Sequence, residues 1–206
     1  MPRCSAIFLD KDGTILVDVP YNVDPDKMYP APGALAALRQ LGRLDCPLIV
    51  VSNQSGLALG RFARPALSHV HARLARMFDE SGARLHDFYY CPHHPQGSVP
   101  AYARDCSCRK PAPGMLLRAA VEHDIDLQTS WMVGDILNDV EAGRRVGCRT
   151  ILIDNGNETE WQMSPQRTPD FVVGDLEAAS RIIIACSPPS ATGTAGVPAT
   201  TVEGRP

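Results

Sequence analysis

Pro47-Leu48-Ile49-Val50-Val51-Ser52 is apolar without a break over the length of a strand, and this run constrains the fold more than any other feature. A strand with no polar alternation is buried on both faces, as in a parallel sheet covered by helices on each side. Ala6-Ile7-Phe8-Leu9 also reads as a buried strand, the first, over about 5–10. Leu85 to Tyr90, Trp131 to Gly134, Arg149 to Ile153 and Phe171 to Val173 supply further strands. Helical patterns lie between them. One starts at Pro32-Gly33, carries Leu35, Leu38 and Leu41 as its apolar face and ends near Gly42. Others run over about 64–81, from Pro113 to about 123, from Asp139 to Val146 before Gly147, and over 175–185. Strands alternating with helices specify an α/β fold with a doubly wound, mostly parallel sheet. Right-handed crossovers put the strand C-termini on one edge, where such sheets bind ligands.

At 206 residues the chain can bury a substantial core, and one domain is expected over 1–186. Residues 187–206 carry Pro, Ser, Thr, Ala and Gly with almost no large apolar side chains, so a disordered tail is expected there. A net charge of −3 offers no basic field for nucleic acid. No apolar run is long enough for a bilayer, and the first five residues lack a signal-peptide core. The expectation is a cytoplasmic protein with no nucleic-acid or membrane partner. The sequence sets no oligomeric state, and a monomer is compatible with it. Seven cysteines, an odd number, argue against a complete disulfide framework.

Asp10-Lys11-Asp12-Gly13-Thr14 follows the first strand, and Gly13 marks a turn. A turn at a strand end can present one carboxylate and one backbone carbonyl to the same cation. Paired acids there can hold Mg²⁺, attack phosphorus, or do both. Alone, such a pair is more often an Asx-rich turn. Alone, Ser52 is a turn or cap residue, Lys110 a solvated charge, Asp135 a helix cap and Asp139 an early-helix acid. Their ordered appearance at or just beyond strand ends sets them on one edge. A transferring phosphoryl group needs charge stabilisation on its oxygens. Lys110 supplies a positive charge. The Ser52 hydroxyl and the backbone N–H groups of the 52–55 turn can donate. Asp10 and Asp135 can bind Mg²⁺.

Residues 91–111 form a long loop rich in Cys, His and Pro. Cys91-Pro92-His93 and Cys106-Ser107-Cys108 supply three sulfurs and one imidazole, a set that fits a closed tetrahedral zinc site of structural type. A clip there would hold the loop and fix Arg109 and Lys110. Spacing leaves open a Cys106–Cys108 redox pair or mere scatter, and His94 is a spare ligand candidate.

Asp10-Lys11-Asp12-Gly13-Thr14, Ser52-Asn53, Lys110 and Gly134-Asp135 with Asp139 together resemble the four motifs of the haloacid dehalogenase superfamily of phosphohydrolases. Ser52-Asn53-Gln54-Ser55-Gly56, Cys91-Pro92-His93-His94-Pro95 and Cys106-Ser107-Cys108-Arg109-Lys110-Pro111 resemble, more narrowly, its D-glycero-D-manno-heptose 1,7-bisphosphate 7-phosphatases. The resemblance covers about 6–185, and the related histidinol-phosphate phosphatases share much of it. It implies a two-step hydrolysis with Asp10 as nucleophile and Asp12 as general acid/base. It implies Mg²⁺ on the Asp10 side chain, the Asp12 backbone carbonyl and Asp135, with Asp139 in support. Ser52 and Lys110 would hold the phosphoryl group. Asp18-Val19-Pro20-Tyr21, Asn53-Gln54-Ser55 and Arg109 would meet a small sugar bisphosphate, the planar Arg109 fork suiting a second phosphate or sugar hydroxyls.

The segments Gly13 to Val51 and Asn53 to Arg109 leave no room for a separate cap domain, so an open site shaped by loops 18–22 and 91–109 is expected. Ile136 stands where many heptose bisphosphate phosphatases carry Lys, which bears on the choice of substrate. The alternative substrate is histidinol phosphate or another small sugar phosphate. From another class, a phospho-accepting receiver module also sets acids, a hydroxyl and a lysine on such an edge, but Asp12 as an acid/base argues against it. A catalytically silent zinc-binding scaffold is the third reading.

Overall fold

The computed structural model describes residues 4–187. Its centre is β1 (Ile7–Leu9), flanked in parallel by β2 (Leu48–Asn53) and β4 (Trp131–Gly134). Beyond β2 lies β3 (Leu85–Cys91), and beyond β4 lie β5 (Arg149–Ile153) and β6 (Phe171–Val173). The order β3-β2-β1-β4-β5-β6 is parallel throughout, so the expected α/β sheet is present without an antiparallel member. The chain builds outward one way from β1, then returns to β4 and builds the other way. This puts the topological switch point between β1 and β4, where a cleft opens past the strand ends.

Side chains of β1 alternate between two buried layers. Ile7 and Leu9 join Leu48, Val50, Val133 and Ile151 under α1 (Ala34–Leu41), α2 (Ala66–Glu80) and α5 (Leu176–Cys186). Ala6 and Phe8 point the other way, with Ile49, Val51 and Met132, against Met115, Leu116 and Ala119 of α3 (Gly114–Glu122). Leu152 packs on Leu137 and Val140 of α4 (Leu137–Arg144). Burial on both faces is the physical reason for the unbroken apolar runs.

Some local expectations are corrected. The buried face of α1 is Ala34, Ala37, Leu38 and Leu41, whereas Leu35 is 43% exposed. Alanines let the helix lie close to the sheet, and Leu35 falls off that stripe. α4 starts at Leu137, two residues before the expected Asp139. Asp139 therefore sits in its first turn and its carboxylate accepts the Ile136 N–H at 3.4 Å. Pro113 is the N-cap of α3, with Gly114 the first helical residue. The tail expected over 187–206 lies outside the described residues except for Ser187, whose hydroxyl donates to the Ile183 carbonyl at 2.9 Å. Between Gly13 and β2 lie loops, one 3₁₀ turn (Pro25–Lys27) and α1. Between β2 and Lys110 lie α2, β3 and the Cys/His loop, so the sheet carries no cap at either place.

Phe8 is fully buried at the middle of the central strand. Phe8→Ala is expected to cost about 3–5 kcal/mol in urea unfolding. Val121→Ala, at an 84% exposed position of α3, is expected to stay within about 0.5 kcal/mol.

Candidate active site and metal centre

β1 ends at Leu9, and the Asp10 N–H donates to the Val133 carbonyl at 2.9 Å, which ties the acidic turn to the end of β4. Gly13 closes that turn at φ +80. A Cβ there would lie 1.9 Å from Asp135 Oδ2, so a glycine is required by both the conformation and the neighbour. Asp135 follows β4 directly, and Asp139 comes one helical turn later, fully buried. The expected edge is thus assembled by the ends of β1, β2 and β4.

Lys110 arrives from the loop after β3 and is only 2% exposed. Asn53, the last residue of β2, fixes its backbone from both sides. The Asn53 amide donates to the Lys110 carbonyl and its oxygen accepts the Lys110 N–H, each at 3.0 Å. The ammonium donates to Asp10 Oδ1 at 2.5 Å and to the Val51 carbonyl at 2.9 Å. Asp139 Oδ1 forms a second ion pair with Nζ at 2.5 Å. Burial alone would push the Lys110 ammonium down; Asp10 and Asp139 outweigh it and hold it above its ordinary range. Burial, with Asp10 and Asp139 as like charges, pushes Asp135 up to about 8, opposed by the Asn157 hydrogen bond and Lys110.

Asp12 takes a different environment. Lys11 Nζ reaches its Oδ1 at 2.6 Å and Gln54 Nε2 donates to its Oδ2 at 3.3 Å. Burial raises its carboxyl above the usual range, with Lys11 pulling the other way. Gln54 Nε2 also donates to Ser52 Oγ at 2.8 Å, which leaves the Ser52 hydroxyl proton to be donated into the cleft. The Gln54 backbone N–H is already spent on the Cys91 carbonyl at 2.8 Å, so of the N–H groups of the 52–55 turn expected to be able to donate, this one is not available to a ligand.

Asp10, Asp12, Ser52, Gln54 and Lys110 line a cleft of about 220 Å³ together with Asp18, Tyr21, Asn53, Ser55 and Asp135, whereas Asp139 lies buried behind it. Val19, Pro20 and Arg109 do not line it; the Arg109 guanidinium turns back toward the His93 carbonyl at 3.5 Å. Three lining residues were not among the expected site residues: Gly56, Ile136 and Asn157. Asn157 donates to Asp135 Oδ2 at 2.8 Å from the loop after β5. Its only sequence signal was an Asn-Gly-Asn turn just past a strand on the same edge.

Two clusters could hold metal ions. Asp10, Asp135 and Asp139 bring carboxylate oxygens within 4.8 Å of one another. Cys91, His93, Cys106 and Cys108 do the same with three Sγ atoms and a ring nitrogen. Neighbouring ligand atoms lie from 3.0 Å (Cys91–Cys108) to 3.7 Å (Cys91–His93 Nδ1) apart. Zinc at the centre of a tetrahedron, about 2.3 Å from sulfur and about 2.0 Å from nitrogen, would need edges of roughly 3.5–3.8 Å. A small expansion reaches that geometry. His94 is not a member of this cluster; its Nδ1 accepts the Gln96 N–H at 3.2 Å.

Comparison with known proteins gives the class first. The HAD-hydrolase-like family model matches residues 107–179. The crystal structure of D,D-heptose 1,7-bisphosphate phosphatase from B. bronchiseptica, complexed with magnesium and phosphate, superposes with a TM-score of 0.75. It is 34% identical and covers 88% of this chain and 98% of that one. D-glycero-β-D-manno-heptose-1,7-bisphosphate 7-phosphatase of Escherichia coli (strain K12) is 40% identical over 168 residues, 77% of this chain and 88% of that protein. The Pseudomonas aeruginosa protein of the same name is 33% identical over 181 residues, 87% and 98% respectively. The chain belongs to this phosphatase family of the haloacid dehalogenase type.

One equivalent of zinc is expected in the purified protein by elemental analysis. Cys108→Ser, which removes the sulfur nearest its neighbours, is expected to lose most of it and to make loop 91–109 more sensitive to proteolysis.

Proposed function

We propose that this phosphatase removes the C7 phosphate of D-glycero-D-manno-heptose 1,7-bisphosphate in a Mg²⁺-dependent reaction through an aspartyl-phosphate on Asp10. The observation that carries the reading is Lys110, buried and ion-paired to Asp10 in the cleft between β1 and β4. It supports a carboxylate and a fixed cation arranged to meet one phosphoryl group. The substrate comes from the relatives, whose names state that activity.

Asp10 attacks phosphorus in line and forms the P–O bond as the ester bond to the sugar breaks. Asp12 gives its proton to the leaving sugar oxygen. Its raised pKa suits a group that begins protonated. Asp12, now ionised, takes a proton from a water that attacks phosphorus, and inorganic phosphate leaves with Asp10 regenerated. Lys110 and the Ser52 hydroxyl balance charge on the equatorial oxygens.

The buried acids fit a magnesium ion. Three carboxylates face one ammonium, and the upward shift of Asp135 reports the resulting self-repulsion after burial. Asp10 and Asp135, the Asp12 backbone carbonyl and, in support, Asp139 would hold it, and it would neutralise phosphate charge. Asp18, Tyr21 and Asn53-Gln54-Ser55 form the wall offered to the sugar, and Val19, Pro20 and Arg109 belong to the segments framing it. Zinc in the Cys91, His93, Cys106, Cys108 cluster would hold the loop that delivers Lys110. No described helix is long and apolar enough to cross a membrane. Seven unpaired cysteines suit a reducing compartment, and the cytoplasm is the proposed location, with one domain over 1–186.

The test is phosphate release from heptose 1,7-bisphosphate and from histidinol phosphate with Mg²⁺. The heptose is expected to be hydrolysed preferentially, and Asp10→Asn to lower the rate by roughly a thousand-fold or more. Preference for histidinol phosphate would overturn the substrate and keep the mechanism. Turnover by Asp10→Asn at the wild-type rate would overturn the mechanism. Dialysis into Mg²⁺-free buffer is expected to abolish release and added Mg²⁺ to restore it, with zinc content followed in parallel.

A further inference from the structure

We infer that Asn157 is a positioning residue that aims the Asp135 carboxylate at a divalent cation. The inference rests on the reading of Asp10, Asp135 and Asp139 as a cation site. Asp135 has two side-chain donors among the described residues. Thr14 Oγ1 reaches Oδ1 at 3.4 Å, at the limit of a hydrogen bond, whereas Asn157 Nδ2 reaches Oδ2 at 2.8 Å. The short contact therefore sets the carboxylate's orientation.

The segment bearing Asn157 is stapled to both acidic loops. Asn155 Nδ2 donates to the Gly13 carbonyl at 2.7 Å, and Asn155 Oδ1 accepts the Asn157 N–H at 3.2 Å. Glu158 Oε2 accepts the Leu137 N–H at 2.6 Å, capping α4 two residues after Asp135. The loop after β5 thus touches the turn after β1 and the start of α4 within four residues. Close approach there is tight: a Cβ on Gly13 would lie 2.5 Å from Asn157 Nδ2.

Residue chemistry agrees with this role. An amide donates a hydrogen bond to a carboxylate without cancelling its charge, so Asp135 keeps that charge for the cation. A lysine here would compete with the cation, and the adjacent Ile136 side chain has no donor to offer. Groups that orient a metal-binding carboxylate typically contribute 10–100-fold to affinity, as a general order of magnitude.

The experiment is Mn²⁺ binding to the full chain, read by the EPR signal of free Mn²⁺, with Mg²⁺ titration calorimetry beside it. Asn157→Ala is expected to weaken Mn²⁺ binding about tenfold or more, with Tm and zinc content unchanged. Saturating Mg²⁺ is expected to restore kcat, which a general loosening of the fold would not allow. Asn155→Ala, which frees the segment without touching Asp135, is expected to show the same loss in milder form and serves if Asn157→Ala does not fold. Wild-type affinity in Asn157→Ala, or in Asn155→Ala where Asn157→Ala does not fold, would overturn the inference alone. Failure of the wild-type chain to bind Mn²⁺ or Mg²⁺ would overturn the cation-site reading itself.

Discussion

The buried ammonium of Lys110 is the interaction on which the active edge depends. Taking a lysine to 2% exposure costs several kcal/mol unless its charge is met, and here Asp10 meets it from the turn after β1 and Asp139 from the first turn of α4. The reverse also holds. Removing the lysine would leave Asp10, Asp135 and Asp139 facing one another with nothing between them. The cluster is therefore a mutual constraint: each member is tolerable inside the protein only because the others are there. Because its members come from the turn after β1, the loop after β3 and the first turn of α4, it also locks those three segments together.

That lock explains why so much structure upstream of Lys110 serves one side chain. β2 ends in Asn53, whose amide grips the Lys110 peptide from both sides. Two residues before Lys110 stands Cys108, whose sulfur is 3.0 Å from Cys91 at the end of β3. The loop 92–107 has few apolar side chains to bury, so burial alone gives it little reason to hold one conformation. A metal clip on the Cys91, His93, Cys106 and Cys108 cluster at its base would supply that reason. In a sheet without a cap, such a clip would let the reacting groups stay rigid while the surrounding loops set what is admitted.

Much of this was legible in the sequence because the signals were physical requirements. Unbroken apolar runs can only be strands covered on both sides, and a doubly wound sheet then forces their polar successors onto one edge. Asp10, Asp12, Ser52, Lys110 and Asp135 were readable for that reason, and the Cys/His spacing for its own. Asn157 and Glu158 were not readable. They lie in a polar loop after β5 with no hydrophobic period, and their partners are 22 and 21 residues away in sequence. Leu35 misled because apolarity is not position: the sheet-facing stripe of α1 used alanines at 34 and 37 instead. Arg109 misled differently, since adjacency to Lys110 in the chain says nothing of which way a long side chain turns.

Charge balance adds a last constraint on how such a site can work. Lys11, 2.6 Å from Asp12, balances that carboxylate once it has given up its proton. The remaining buried groups, three carboxylates against one ammonium, carry a formal excess of two negative charges. A phosphate monoester near neutral pH brings about −1.5 to −2 more. Left alone, the cleft would repel such a group, since that excess already includes the Lys110 charge. A divalent cation held by the acids would remove the excess. With such a cation bound, the same carboxylates would anchor the phosphate through it, and Asp10, in the proposed role of nucleophile, would approach phosphorus without acting as one more like charge.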